Sequence, residues 1–145
     1  MCLTLAKQFK SEKEAKAFVR KPLVSKRNIK VYKMLETCED EILSPYQSET
    51  YTEGELKTVK RFTSRITGSC YCSIERGLHT YATLKEAKTF AKLGVSVAPR
   101  FVIEVMIPKG TPYFKSVDDK QYVSLALQMP KKFKSLYGKI NLKKS

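Results

Sequence analysis

A single compact α+β domain, with a mostly antiparallel, twisted sheet and two amphipathic helices, is the fold that this sequence predicts. The chain has 145 residues, which is enough for one hydrophobic core and too few for two. Apolar residues make up 42% of it, close to the globular average, so most of the chain is expected to fold. Several short segments have the two-residue apolar period of strands and two have the helical period, which together predict the mixed class.

The two helices are predicted from their capping residues. Ser11 and Glu14 form a capping box at the start of the first helix, which ends before Pro22. Thr83 caps a second helix over residues 84–93, and Gly94 stands where a residue with positive φ ends many helices.

The strands are predicted from alternation and from apolar runs. In residues 29–35, Lys33 shares one side of the strand with Val31 and Leu35. Residues 56–67 could form a strand or a helix. Further strands are expected at residues 2–9, 69–75, 79–82, 101–107 and 122–127.

The segment 34–56 is strongly acidic and is predicted to be mainly loop, with a turn at Ser44 and Pro45. It contains no Lys or Arg, and its seven acidic residues are Glu36, Glu39, Asp40, Glu41, Glu49, Glu53 and Glu55. Two interpretations are open. The segment either pairs with basic neighbours or repels anions towards another face of the protein.

The remaining composition predicts a basic protein with an anionic partner. The net charge is +14, which attracts nucleotides, nucleic acids and acidic proteins. Residues 1–130 form the predicted domain, and the lysine-rich residues 131–145 form a tail that is expected to be frayed or ordered on a partner. No apolar run approaches the roughly 20 residues of a membrane span, so we expect a cytoplasmic protein without membrane contact and with free thiols.

Several kinds of catalytic and cofactor site are disfavoured. His79 is the only histidine, and Cys70 with Cys72 supplies too few ligands for zinc unless Cys2 or Cys38 joins them. The six glycines are scattered and form no phosphate-binding loop. We therefore predict no catalytic residues, no metal and no cofactor.

Basic and aromatic residues are interleaved in a pattern that is typical of nucleotide binding. Guanidinium groups bind phosphate in a bidentate manner, and aromatic rings stack on bases with about 1–3 kcal/mol each. The alternative is that the tyrosines border the core and the arginines are solvated. The candidate ligand-binding residues are Tyr32, Lys33, Ser44, Tyr46, Arg61, Arg65, Arg76, His79 and Tyr81.

Five short motifs resemble those of small uncharacterised phage and bacterial proteins, over nearly the whole chain. They are Val-Tyr-Lys-Met-Leu at 31–35, Ser-Pro-Tyr at 44–46, Gly-Leu-His-Thr-Tyr at 77–81, Ile-Pro-Lys-Gly at 107–110 and Tyr-Val-Ser at 122–124. In a phage, such a protein could sequester a host immune signal as part of an anti-defence system.

The order of motifs is also similar, more distantly, to that of ADP-ribosyltransferases. In that comparison Lys33 replaces the usual Arg or His of an early strand, and residues 79–81 occupy the signature strand. The catalytic Glu has no counterpart, since Gln121 and Ser124 stand near its place and neither supplies a negative charge. The resemblance implies a degenerate member that binds a nucleotide without turnover.

Four functional hypotheses follow, and the last of them is an inhibitor that docks on an acidic host protein. The first is non-catalytic binding of an anionic nucleotide-type ligand, an ADP-ribose derivative or a cyclic nucleotide. The second is DNA or RNA binding through the basic surface, and the third is an active transferase that uses NAD. A homo-oligomer is a further expectation, because small binding proteins often build pockets between subunits.

Overall fold

The computed structural model describes residues 3–38, 41–44, 49–66, 71–92, 100–116 and 118–140. The described strand pairs are all antiparallel, and the predicted α+β class is confirmed. The elements in chain order are β1 (Leu3–Gln8), α1 (Glu12–Val19), β2 (Leu23–Val24), β3 (Ile29–Cys38), β4 (Glu41–Leu43), β5 (Leu56–Thr58), β6 (Thr63–Ile66), β7 (Tyr71–Arg76), β8 (Leu78–Tyr81), α2 (Leu84–Lys92), β9 (Arg100–Ile107), β10 (Pro112–Lys115), β11 (Gln121–Ser124) and β12 (Ala126–Gln128).

These strands form two sheets of unequal size. Within the described ranges, nine strands build the larger sheet in the order β2-β10-β11-β8-β3-β9-β12-β5, with β4 paired to β3. The smaller sheet has the order β1-β7-β6. The chain passes from the smaller sheet to the larger one between β1 and β2, back to the smaller one between β5 and β6, and again to the larger one between β7 and β8. We call the passage from β5 to β6 the first crossing and the passage from β7 to β8 the second crossing.

The centre of the larger sheet is the pair β3 and β9. Their register runs from Ile29 opposite Ile107 to Glu36 opposite Arg100. The main core lies on one face of this pair, as expected for two strands that are largely apolar. On the other face, α2 packs through the small residues Ala87 and Ala91.

Both helices begin at the predicted caps. The Ser11 hydroxyl accepts a hydrogen bond from the Glu14 backbone N–H at 3.2 Å, and the Thr83 hydroxyl accepts one from the Glu86 N–H at 3.3 Å. These bonds satisfy N–H groups that have no partner inside the first helical turn. Helix α1 packs on the smaller sheet through Ala15.

The described part of the lysine-rich tail, residues 131–140, is attached to the domain, whereas the sequence predicted a tail that is frayed or ordered on a partner. The Leu136 N–H donates to the Val102 carbonyl at 2.8 Å, and the Val102 N–H donates to the Tyr137 carbonyl at 2.9 Å. Phe133 and Ile140 pack against the main core. The difference arises because apolar residues lie between the lysines, and they bury surface that the charge pattern alone does not reveal.

Candidate anion-binding site

The first crossing between the sheets, from β5 to β6, exposes two basic residues. Val59 packs against the main core, and Phe62 packs into the core beside the smaller sheet. These two apolar side chains fix the connection at both ends. Lys60 and Arg61, which lie between them, remain exposed to solvent.

The second crossing brings Arg76 next to the first. Arg76 ends β7, and Gly77 follows with φ of +151°, a conformation that side-chain-bearing residues rarely adopt. A Cβ at Gly77 would overlap Val123 Cγ2 and would lie 3.2 Å from Phe62 Cδ1. The backbone thus passes close against Phe62, and Arg76 is held beside the connection that carries Arg61.

The two crossings border a surface cleft of about 420 Å³, which we call the basic cleft. Among the described residues that line it, three are cationic and one is a carboxylate, so their summed charge is positive. Threonine hydroxyls add neutral hydrogen-bond donors, and guanidinium groups can bind phosphate oxygens in pairs. The lining residues are Glu49, Thr58, Val59, Lys60, Arg61, Thr63 and Arg76.

Glu49 is the acidic group of the basic cleft. Its Oε2 lies 3.6 Å from Lys57 Nζ, and its backbone carbonyl accepts a hydrogen bond from the Ser44 N–H at 3.0 Å. It also lines an adjoining cleft of about 360 Å³ together with Arg76. At this position the acidic segment pairs with a basic neighbour, which is one of the two interpretations left open by the sequence.

Arg65 lies on β6 outside the lining of the basic cleft. Its side chain is exposed, and Nη1 lies 3.7 Å from Glu75 Oε1. Arg65 therefore does not line the basic cleft with Arg61 and Arg76, although the sequence grouped all three in one site.

Lys33 lies inside the larger sheet rather than in the basic cleft. Only 3% of it is exposed, and Nζ donates to the His79 backbone carbonyl at 2.7 Å. Nζ also lies 5.4 Å from the centroid of the Tyr51 ring. Burial lowers the pKa of Lys33 to about 8, against a smaller raising effect of Glu49.

His79 is held by backbone carbonyls on its own chain segment. Nδ1 lies 3.1 Å from the Gly77 carbonyl oxygen and Nε2 lies 3.2 Å from that of Ile74. Burial lowers the pKa of His79 to about 4, and the charge of Lys33 adds to this effect. The imidazole is therefore neutral at pH 7.

This lowered pKa predicts that the protein loses stability as the pH falls from 6.5 towards 4. The unfolded chain takes up the His79 proton near pH 6.5, whereas the folded protein takes it up only near pH 4. Between these values the unfolded state binds more protons, so the free energy of unfolding decreases with decreasing pH. We expect His79→Gln to lack this contribution in urea unfolding at pH 7, 6, 5 and 4. Equal pH slopes for the two proteins would contradict the prediction.

The other candidate residues are distributed over the domain. Tyr81 is buried with its ring stacked on Phe90 at a centroid distance of 5.1 Å, and Tyr32 packs near it on the α2 face. Ser44 is buried after β4. Tyr46 lies outside the described residues. Of the eight candidates that the structure describes, Arg61 and Arg76 line the basic cleft.

Three residues near these groups were missed by the sequence reasoning. Glu49 and Tyr51 belong to the segment interpreted as an acidic loop, and Lys57 stands in the segment of undecided secondary structure. Lys57 Nζ and Lys33 Nζ each lie 5.4 Å from the centroid of the Tyr51 ring. The alternation of apolar residues in β3 placed Lys33 on the buried side of that strand. A buried lysine needs a partner, so this signal could have prompted a search for a residue such as Tyr51.

Neither helix in the described ranges is long and apolar enough to cross a membrane. The described residues contain no group of three or more His, Cys, Asp or Glu placed to hold a metal ion. Cys2 and Cys70 lie outside the described residues. No protein-family model, no curated protein and no solved structure matches this chain.

Proposed function

We propose that the protein binds an anionic nucleotide-type ligand without turning it over, with the phosphate groups of the ligand in the basic cleft. The observation that carries this proposal is the convergence of Arg61 and Arg76 on one cleft from two separate crossings between the sheets. Lys60 adds a third positive charge from the first crossing.

The size and the chemistry of the cleft support this class of ligand. Its volume of about 420 Å³ lies within the range of about 300–1,000 Å³ that is typical of small-molecule sites. The arginines can donate hydrogen bonds to phosphate oxygens. The Glu49 carboxylate can accept a hydrogen bond from a ribose hydroxyl or an exocyclic amine. A ligand with a phosphate at one end and hydroxyl or amino groups at the other matches both.

The surroundings of Glu49 and Ser124 support binding without turnover. Glu49 is the carboxylate among the described lining residues of the basic cleft, and it forms an ion pair with Lys57. Ser124, which stands near the place of the transferase Glu, is fully buried and donates to the Ala126 carbonyl at 3.0 Å. Neither group is positioned as a free base or as a stabiliser of a developing positive charge in the cleft.

Arginine substitutions test the proposal. We expect Arg61→Ala and Arg76→Ala each to weaken the binding of ADP-ribose or of a cyclic nucleotide by about 10- to 100-fold, because each removes a charged hydrogen-bond donor to phosphate. Isothermal titration calorimetry gives the dissociation constants. Arg65→Ala is the matched control, since it removes an exposed arginine of the same sheet that does not line the cleft.

The result that overturns the proposal is an unaltered affinity in both cleft variants, or no heat of binding with any nucleotide. Release of nicotinamide from NAD by the purified protein would instead establish the transferase.

A nucleic acid is the second candidate ligand, because the attached tail presents exposed lysines. Lys131, Lys132, Lys134 and Lys139 are all exposed in the described segment. Binding of this kind weakens linearly with the logarithm of the salt concentration, with a slope of about −0.9 per phosphate neutralised on duplex DNA. Replacing Lys131, Lys132 and Lys134 by Gln would reduce that slope, whereas nucleotide binding in the basic cleft would be unchanged.

A further inference from the structure

A second polar cluster lies in the interior of the larger sheet, separate from the basic cleft. It consists of Lys33, Tyr51 and Thr80, which are 3%, 3% and 1% exposed. All three side chains end in hydrogen-bond donors.

The strand register brings Lys33 and Thr80 to one face of the sheet, and the Tyr51 ring lies against Lys33 there. Tyr32 of β3 pairs with Tyr81 of β8. Because successive side chains of a strand alternate between faces, Lys33 and Thr80 both lie on the face opposite to these two tyrosines. Lys33 Nζ reaches the carbonyl of His79, the neighbour of Thr80, and the Tyr51 ring covers Nζ at 5.4 Å.

Several hydrogen-bond donors in this cluster have no acceptor among the described residues. An ammonium group can donate three hydrogen bonds, and among the described residues Lys33 makes one, to His79. Tyr51 Oη and Thr80 Oγ1 are buried and form no hydrogen bond with the part of the chain that the structure describes. Buried donors of this kind destabilise a protein unless an acceptor is supplied.

The charge of the cluster is also uncompensated at close range. Among the described residues, no carboxylate oxygen lies within 4 Å of Lys33 Nζ. Glu49 acts on Lys33 only through a longer-range charge effect, because its own close partner is Lys57 at 3.6 Å. What the cluster lacks is therefore a negatively charged acceptor.

We propose that Lys33, Tyr51 and Thr80 form a buried binding site for a small inorganic anion of halide size. The anion accepts hydrogen bonds from the two hydroxyls and from the ammonium group, and it neutralises the lysine. Charge-assisted hydrogen bonds of this kind are stronger than those to a neutral acceptor such as water. This site is independent of the nucleotide proposed for the basic cleft.

Chloride is the first probe. We expect the melting temperature of the wild-type protein to rise with chloride concentration and to saturate, at constant ionic strength maintained with sodium gluconate, whose anion is too bulky for the site. Binding to the folded state alone stabilises it in this saturable way. Tyr51→Phe and Thr80→Val should each raise the half-saturating chloride concentration by about tenfold, because each removes one donor to a charged acceptor.

The same variants distinguish an anion from a buried water molecule. In chloride-free buffer, Tyr51→Phe and Thr80→Val should melt at or above the wild-type temperature, since each removes a donor that then has no partner. If water filled the site, both variants would melt lower and their response to chloride would equal that of the wild type. Tyr113→Phe, which alters a half-buried tyrosine on β10, is the control and should keep the full chloride response.

Bromide provides a measurement that needs no variant. A wild-type crystal soaked in bromide should show an anomalous peak within hydrogen-bond distance of Lys33 Nζ. The absence of that peak, or a melting temperature that does not depend on chloride, would overturn the proposal.

Discussion

Gly77→Ala should destabilise the protein by about 2–6 kcal/mol. The substitution forces a residue with a side chain into φ of +151°, which costs about 1–3 kcal/mol. It also drives the new Cβ into Val123 Cγ2 and close to the Phe62 ring, and overpacking of this kind costs a further 1–3 kcal/mol or so. Val123 is fully buried and β-branched, so its side chain cannot rotate away easily. Urea unfolding measures the loss.

Gly110→Ala is the control for the packing part of this effect. Gly110 has φ of +86°, and a Cβ built there has no atom within 4 Å. Its substitution should cost only the conformational penalty, about 1–2 kcal/mol. Equal losses for the two variants would show that the close approach at Gly77 contributes nothing. Because Gly77 follows Arg76 directly, the same variant should weaken ligand binding in the basic cleft.

The parts of the fold that depend on local signals were predictable from the sequence. The caps at Ser11 and Thr83 are within hydrogen-bond reach of their own helices, so their pattern needs no tertiary information. The apolar runs that became β3 and β9 were also evident, because a strand in the middle of a sheet must be apolar over most of its length.

The elements that depend on distant partners were not predictable. Strands β2, β4 and β10 have two to four residues each, which is too short for a periodic signal. The expected strand at 122–127 is divided at Leu125, whose N–H donates to the Pro112 carbonyl at 3.1 Å and whose carbonyl accepts from the Val59 N–H at 3.0 Å. In the segment of undecided secondary structure, Leu56–Thr58 and Thr63–Ile66 form two strands in different sheets.

The candidate site was predictable in residue type but not in arrangement. Arg61 and Arg76 were selected because guanidinium groups suit phosphate, yet their convergence depends on the two crossings between sheets, which no local pattern encodes. Tyr81 was selected for its ring, and that ring is stacked in the core against Phe90. Glu49 is one of seven acidic residues in its segment, and the sequence does not show which of them pairs with a lysine and which is solvated. Its ion pair with Lys57 is seen only in the structure.

Replacing Lys33 by Met should change the pH dependence of stability strongly, because Lys33 is buried. The folded-state pKa of Lys33 is about 8, whereas the value in the unfolded chain is 10.5. Between these pH values the unfolded chain binds the proton and the folded protein does not, so the stability of the wild type rises with pH. The difference of about 2.5 pKa units corresponds to about 3 kcal/mol. The gain is absent below pH 8 and complete above pH 10.5.

The experiment compares the free energies of unfolding of wild type and Lys33→Met at pH 7, 8, 9 and 10 in chloride-free buffer, so that an anion bound at Lys33 does not raise its pKa. Tyr51 limits the range, because burial raises the pKa of its hydroxyl and ionisation of tyrosine in the unfolded chain opposes the Lys33 effect above pH 10. Since both proteins contain Tyr51, its contribution cancels in the difference. Lys30→Met removes an exposed lysine of the same strand and should keep the wild-type pH slope. If Lys33→Met keeps that slope too, the ammonium group is not buried as the structure places it.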